Sequence, residues 1–353
     1  MPNGNVKELE NYLRKTMRAH SALFSSPDQR LERVRYRAEH PTEITALKCM
    51  DGRVHLPAVT GTPLGILSPI RNIGGIFDLG WPFFQSVLDG WINYAVSRAR
   101  RCLIFCTYHF SRGDTQRGCA GHHHDTATAI ASAKRLRDQI ERVYGKEHLV
   151  VHPIVLGFET DLDALIIHGE NAEVVDLASF SDNSLSSLET TLGRLFPKMQ
   201  QQVKSDFLPL LVGNAKHIEE VRKRKREPLA LQHLERVLAV GRGFDWLHEP
   251  NLALIVGPYA PNIDSPISQA AGIIADNMKT KRVPDDGFVL FSCAPFREHG
   301  IEEGLAQDKA KFLGQHAMDV IKKHHPDLVS LLHPMIGVVD MNTRLVTLIE
   351  ELP

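Results

Sequence analysis

Five side chains in the sequence have the types and spacing to do chemistry together. Cys49 is followed by Asp51 and Arg53, and well downstream by His109 and Cys119. Two thiols and one imidazole are suitable ligands for a zinc ion. Three protein ligands rather than four leave a coordination position open for water, which separates catalytic from structural zinc sites. An acid and a guanidinium close to the first thiol add groups that a structural site does not need. The set predicts a hydrolytic or hydrating metalloenzyme. Arg53 lies two residues past Asp51, on the same face if the segment is extended. There it could grip the carboxylate bidentately, keeping it ionised and off the metal.

Other residues are candidates for supporting roles. Arg71-Asn72-Ile73-Gly74-Gly75 reads as a pocket-shaping turn, its glycines permitting close backbone approach, with Asn72, Gly74 and Gly75 lining the pocket. His122, His123 and His124 precede Asp125 and read either as a polar helix start or as proton relays, since histidine titrates near neutral pH. His55 is a further relay candidate. Cys102 and Cys106 fall inside an apolar run and Cys293 in another, which predicts packing roles.

These residues must be positioned by the elements around them. Val6, Leu9, Leu13, Met17 and His20 recur at helical spacing, and a second helix is expected from Ser26 as N-cap with Pro27 at its first position. Ile44 to Leu47 reads as a short buried strand delivering Cys49. An amphipathic helix is expected over 83–99, burying Phe84, Val87, Leu88, Trp91, Ile92, Ala95, Val96 and Ala99. A continuous apolar strand follows from Arg101 to Tyr108, with His109 at its end. A helix over 122–144, a strand over 149–158 and a hairpin partner over 163–168 complete the alternation. The pattern predicts an α/β, mostly parallel sheet with flanking helices, with ligands bound beyond the carboxyl ends of its strands.

Residues 170–245 read as two or three helices inserted after this unit. Within them Arg222-Lys223-Arg224-Lys225-Arg226 reads as a solvated helix face, with a docking patch for an acidic partner as the alternative. The last hundred residues resemble a degenerate copy. Leu103 to Arg112 matches Val289 to Glu298, and His152 to Ile167 matches His333 to Leu348, in the same order. In this alignment His109 faces Pro295, and Cys49-Met50-Asp51 falls near Gly257-Pro258-Tyr259, so the ligands are absent while the strands persist. The expected division is an N-terminal helical segment 1–43, a zinc domain 44–245 with its helical insertion 170–245, and a degenerate copy 246–353.

The 353 residues carry 41 basic and 42 acidic side chains, a net charge of −1, so no global field favours nucleic acid or an anionic membrane. No apolar run reaches membrane-spanning length, and the charged first twenty residues exclude a signal-peptide core. Five cysteines, an odd and sparse set, read as reduced and intracellular.

Cys-x-Asp-x-Arg, Arg71 to Gly75, a helix, an apolar strand ending in His109, and Gly118-Cys119, in this order over about residues 44–168, resemble a β-class carbonic anhydrase. Nine residues, Phe110 to Gly118, separate His109 from Cys119 where ordinary β-class enzymes have a much shorter spacer. That spacer, the N-terminal helices and the ligand-free copy resemble the carboxysome shell carbonic anhydrase branch. The resemblance implies reversible hydration of CO₂ to bicarbonate by zinc-bound hydroxide, with one zinc per chain. Cys49, His109 and Cys119 would be the metal ligands, and Asp51 and Arg53 the catalytic pair. It implies an active site at the contact of two like units, here built within one chain, and association into a homodimer or a multiple of it. Carbonyl sulfide or carbon disulfide hydrolysis on the same scaffold is the alternative reaction. A catalytically lapsed zinc-stabilised shell protein is the alternative class, against which Asp51 and Arg53 speak. No long repeat-bearing tail precedes the first helix, so a cytoplasmic enzyme is expected, with association to a carboxysome shell or rubisco as the other setting.

Overall fold

The computed structural model describes residues 4–145, 149–180, 185–224, 226–247 and 249–349. Two helices open it, α1 (Val6–Ser25) and α2 (Pro27–Glu39). Ser26 caps α2 as expected, its side chain accepting the Gln29 N–H, with Pro27 in the first turn where no hydrogen-bond donor is needed.

A six-stranded sheet follows, built from β1 (Glu43–Cys49), β2 (Leu67–Asn72), β3 (Cys102–Phe110), β4 (Val151–Glu159), β5 (Ala164–His168) and β6 (Val174–Asp176), in the order β2-β1-β3-β4-β5-β6. The first four strands are parallel and the hairpin partners antiparallel. One face is covered by α4 (Pro82–Val96) and α5 (Thr126–Ile140). The other is covered by α3 (Leu56–Thr60), α6 (Leu185–Leu195) and α7 (Gln201–Arg224). Burial on both faces explains why the central strand β3 reads as a continuous apolar run. In α4 the buried residues are Phe84, Leu88, Ile92 and Ala95. Val96 and Ala99, expected on that face, are exposed, because the helix ends at Val96 and Ala99 takes a left-handed conformation with φ 53°.

The second sheet holds β7 (Val237–Gly241), β8 (Ala253–Val256), β9 (Phe288–Phe296), β10 (Leu332–Asp340) and β11 (Val346–Leu348), with α8 (Asp264–Lys279) and α9 (Ile301–His324) on one face. Its order, β8-β7-β9-β10-β11, repeats β2-β1-β3-β4-β5 strand for strand, parallel throughout except for the final antiparallel pair. The protein is α/β, with two mostly parallel sheets flanked by helices.

Two expectations are corrected by this architecture. The stretch 170–245 contains strands as well as helices. One of them, β7, is paired inside the second sheet, so that sheet begins ahead of the expected boundary at 245. The N-terminal segment does not stand apart: the apolar stripe of α1 (Val6, Leu9, Leu13, Met17) covers the outer face of the second sheet against Val237, Ala239, Val289 and Phe291. The basic run is solvated as expected over Arg222 to Arg224, all exposed, though some of its members also make specific bonds. Arg222 bonds the Ala178 carbonyl and Arg226 clasps Asp163 and the Thr160 carbonyl, while Arg224 pairs with Glu220 and Lys225 lies outside the described residues.

Candidate metal centre

The carboxyl ends of β1 and β3 lie side by side, because Glu43 to Leu47 pair in parallel with Cys102 to Cys106. Cys49 closes β1 and His109 is the penultimate residue of β3. Cys119 comes from the loop between β3 and α5. That loop is a pair of short 3₁₀ turns tied by the Cys119 carbonyl, which accepts the N–H groups of His122 and His124. The result is a buried cluster in which the ligand atoms of Cys49, His109 and Cys119 all lie within 4.8 Å of one another. The two sulfurs are 3.9 Å apart. His109 is 2% exposed, and neither of its ring nitrogens has a hydrogen-bond partner. A buried imidazole without partners is costly unless something else occupies its lone pair. Two thiols and this imidazole therefore fit a tetrahedral zinc with one position left open. The hydrogen bond from Cys119 lowers the Cys49 thiol well below its ordinary value, and the same contact raises Cys119.

Asp51 and Arg53 are not on an extended strand. Met50 to Arg53 leave β1 in a turn, in which Asp51 Oδ1 accepts the Arg53 backbone N–H at 2.8 Å. The turn folds the guanidinium back onto the carboxylate: Nε donates to Oδ1 at 3.1 Å and Nη2 to Oδ2 at 2.7 Å. Both groups are buried, so the bidentate pair expected from the spacing forms by a different backbone route. Burial alone would push the Asp51 carboxyl up, but Arg53, with His233 and His109, holds it well below the usual range. Its Oδ2 lies 3.6 Å from His109 Nε2.

His233 and Glu235, missed in the sequence, complete this arrangement. His233 Nε2 lies 3.0 Å from Arg53 Nη2, and its Nδ1 lies 2.9 Å from Glu235 Oε2. In this geometry Nδ1 faces the Glu235 carboxylate and Nε2 the Arg53 guanidinium; burial alone would lower the ring's pKa, but Glu235 raises it above the ordinary value. Glu235 also accepts the Gly52 N–H at 3.1 Å, and Arg53 Nη1 donates to the Leu231 carbonyl. Asp51, His233 and Glu235 could themselves group around a cation, but the Arg53 guanidinium already bonds two of them.

Asn72 is paired with Cys49 across β1 and β2, its carbonyl accepts the Met50 N–H, and its amide donates to the Ile76 carbonyl. Gly74 and Gly75 both have φ 63°. A Cβ on Gly75 would meet the Thr107 carbonyl at 3.0 Å and the Cys49 nitrogen at 3.4 Å, so the turn can lie against the cluster only as glycine. His122 is buried, its Nε2 2.9 Å from the Gly74 carbonyl, and burial lowers its pKa. His124 Nδ1 lies 3.1 Å from the Gly118 carbonyl, and His123 is exposed. His55 caps α3. Beside the cluster, burial lowers Lys48 well below its ordinary value and Arg71 to about 10.

The second unit closes the site. Ile255 N–H donates to the Met50 carbonyl and Asn251 N–H to the Gly52 carbonyl, so the turn carrying the dyad is pinned along β8. Cys49, Met50, Ile73 and Cys119 share one apolar cluster with Leu238, Leu254 and the α8 residues Ile267, Ala270 and Ala271. Reciprocally, Tyr259 packs on Phe77, Phe83 and Phe84 at the start of α4.

Residues 40–206 match the family model of the carboxysome shell carbonic anhydrase catalytic domain. The matched stretch contains all five residues singled out at the start. The carboxysome shell carbonic anhydrase of Halothiobacillus neapolitanus (strain ATCC 23641 / c2) is 25% identical over 255 residues, covering 58% of this chain and 48% of that protein. The chain thus spans about half the length of the curated relative it matches. The chain is similar to this branch of the carbonic anhydrases, as the spacing of its motifs implies, and His233 and Glu235 lie beyond the matched residues.

Proposed function

We propose that this chain catalyses the reversible hydration of CO₂ to bicarbonate at one zinc ion held by Cys49, His109 and Cys119. The observation that carries this reading is the buried meeting of two thiols and an imidazole whose ring nitrogens make no hydrogen bond, beside a carboxylate gripped by an arginine. Bound zinc would supply the Lewis acidity that makes water a nucleophile at neutral pH. Asp51 supplies the proton acceptor that orients this water, and Arg53 keeps it ionised and fixed. Met50, Ile73 and the α8 residues form an apolar wall suited to a neutral linear substrate and to excluding bulk water. His122 and His124 each have a ring nitrogen placed against a carbonyl, so exposed His123 is the member of the trio best placed to exchange protons with solvent. The carbonic anhydrase match favours CO₂ over carbonyl sulfide or carbon disulfide. The intact dyad favours an active enzyme over a lapsed one.

Native mass spectrometry is expected to find one zinc per chain and an even number of chains. The exposed apolar stripe of α9, where Ile301 is 85%, Leu305 64% and Phe312 67% exposed, supports self-association. Combining Cys49→Ser with His109→Ala should abolish the metal. Two tightly held zincs per chain, or zinc retained in that variant, contradicts the ligand assignment. The relative's name ties it to a carboxysome shell, and no described helix is long and apolar enough to cross a membrane. Packaging of this chain in such a shell is part of the proposal, tested by whether it co-sediments with carboxysomes.

His233 acts as a positioning residue through Arg53. His233→Ala is expected to lower CO₂ hydration by roughly 10–100-fold, the scale of lost outer-sphere support, with zinc content unchanged. His233→Gln, whose amide oxygen can still accept from Arg53, should recover part of the rate. Equal rates for the two variants would remove His233 from the mechanism.

A further inference from the structure

The second sheet repeats the first in register as well as in order. Leu47 pairs with Cys106, the fifth residue of β3, and Gly241 pairs with Cys293, the sixth of β9. Matching the nine residues of β3 to the nine of β9 puts Pro295 in the place of His109. It puts Gly241 in the place of Lys48, and so Arg242 in the place of Cys49. This corrects the expectation from sequence: Gly257-Pro258-Tyr259 follows β8 and takes the place of Arg71-Asn72-Ile73, not of the first cysteine. The loop that carries Cys119 spans 111–125, whereas only 297–300 separate β9 from α9, so the third ligand has no backbone to stand on.

The vestigial position is not filled in. A cavity of about 280 Å³ remains there, lined by Arg242, Pro258, Pro295, Arg297, Lys309 and Glu302, with Phe83 of α4 covering it as α8 covers the metal cluster. Among the described residues none of the three cations makes a salt bridge, and Arg242 stands by the neutral hydroxyl of Tyr259. The one carboxylate lining it, Glu302, is engaged by the backbone N–H groups of Glu298 and Arg297 and also feels the Arg297 charge. The cavity shares Arg242, Pro295 and Arg297 with the cleft between the two units, about 1020 Å³, where Arg71 adds further positive charge while Arg344 is paired with Asp245 at 3.2 Å.

We propose that the degenerate site of the second unit is an anion-binding pocket that takes a small oxyanion on Arg242, with Arg297 and Lys309 at its rim. A guanidinium standing where a metal ligand stands in the first unit offers paired N–H donors that match the oxygens of a carboxylate, carbonate or phosphate group. Two sources share that chemistry: bicarbonate, and the phosphate group of a metabolite. The proposal concerns the second unit and does not depend on zinc or on turnover.

The test is isothermal titration of the full chain with potassium bicarbonate and, separately, inorganic phosphate, at ionic strength held constant with chloride. Saturable binding of one anion per chain is expected, and whichever of the two binds identifies the source. Arg242→Ala should weaken it about tenfold or more, the scale of a lost hydrogen bond to a charged group, and Arg242→Lys by less. Arg297→Ala and Lys309→Ala, both at exposed positions, should weaken it severalfold without affecting the fold, and so decide the matter if Arg242→Ala proves unstable. The Cys49→Ser, His109→Ala chain should bind as the unaltered one does. No saturable binding of either anion, an affinity indifferent to all three cations, or binding lost with the metal ligands would overturn the proposal.

Discussion

Asp51→Asn is expected to leave zinc bound and to cut CO₂ hydration about 10²-fold or more, the scale of a lost positioned proton acceptor. The substitution is nearly isosteric and alters none of the three metal-ligating side chains themselves, so metal content should not change. What it removes is the charge that Arg53 fixes at two oxygens, 3.1 and 2.7 Å from the guanidinium nitrogens. An asparagine cannot accept through both side-chain atoms, and its amide would place a donor against either Arg53 or the reacting water. Arg53→Ala should lower the rate to a similar degree by another route. It strips a buried carboxylate of its counter-ion, a change costing about 3–5 kcal/mol in comparable buried pairs, and frees Asp51 to swing towards the metal. Zinc content and hydration rate measured on both variants decide this. Near-full activity in either one would show that the dyad does not govern the reaction.

Ending the chain at residue 250 is expected to destroy soluble, active enzyme rather than trim it. The cut leaves β7 without both of its partners, β8 and β9. It removes the N–H groups of Asn251 and Ile255 that pin the Asp51 turn. It also uncovers Leu238 and Val240 beside the metal cluster, and the apolar stripe of α1 that the second sheet buries. Solubility, mass in solution and hydration rate of the shortened chain are the measurements. A well-behaved monomer with normal activity would show that the second unit is an appendage.

What could be read in the sequence follows from how local each signal is. Cys49, Asp51 and Arg53 lie within one short segment, and His109 ends an apolar run whose burial on both faces marks a central strand. These were legible as chemistry and as position. The turn that pairs Asp51 with Arg53 was not, because an i, i+2 spacing is compatible with an extended strand and with a tight turn alike. His233 was missed because it meets Arg53 across 180 residues, a contact that leaves no periodicity. The signal that could have found it is the His-x-Glu spacing of His233 and Glu235, which puts an imidazole and a carboxylate on one side of an extended segment. Val237 to Gly241 was absorbed into a helical stretch, since a five-residue apolar run carries too little pattern to separate strand from helix. Without that strand, the position equivalent to Cys49 falls on the loop after β8 rather than on Arg242 after β7. The covering of the second sheet by α1 was equally hidden, because an amphipathic helix announces that it will be buried but not against which surface.

The most direct test of the central claim is stopped-flow measurement of CO₂ hydration by the purified full chain, on samples whose zinc content has been determined. The rate should rise in proportion to bound zinc, saturate at one zinc per chain, vanish on chelation and return when zinc is restored. A fully zinc-loaded chain that hydrates CO₂ no faster than buffer alone would contradict it.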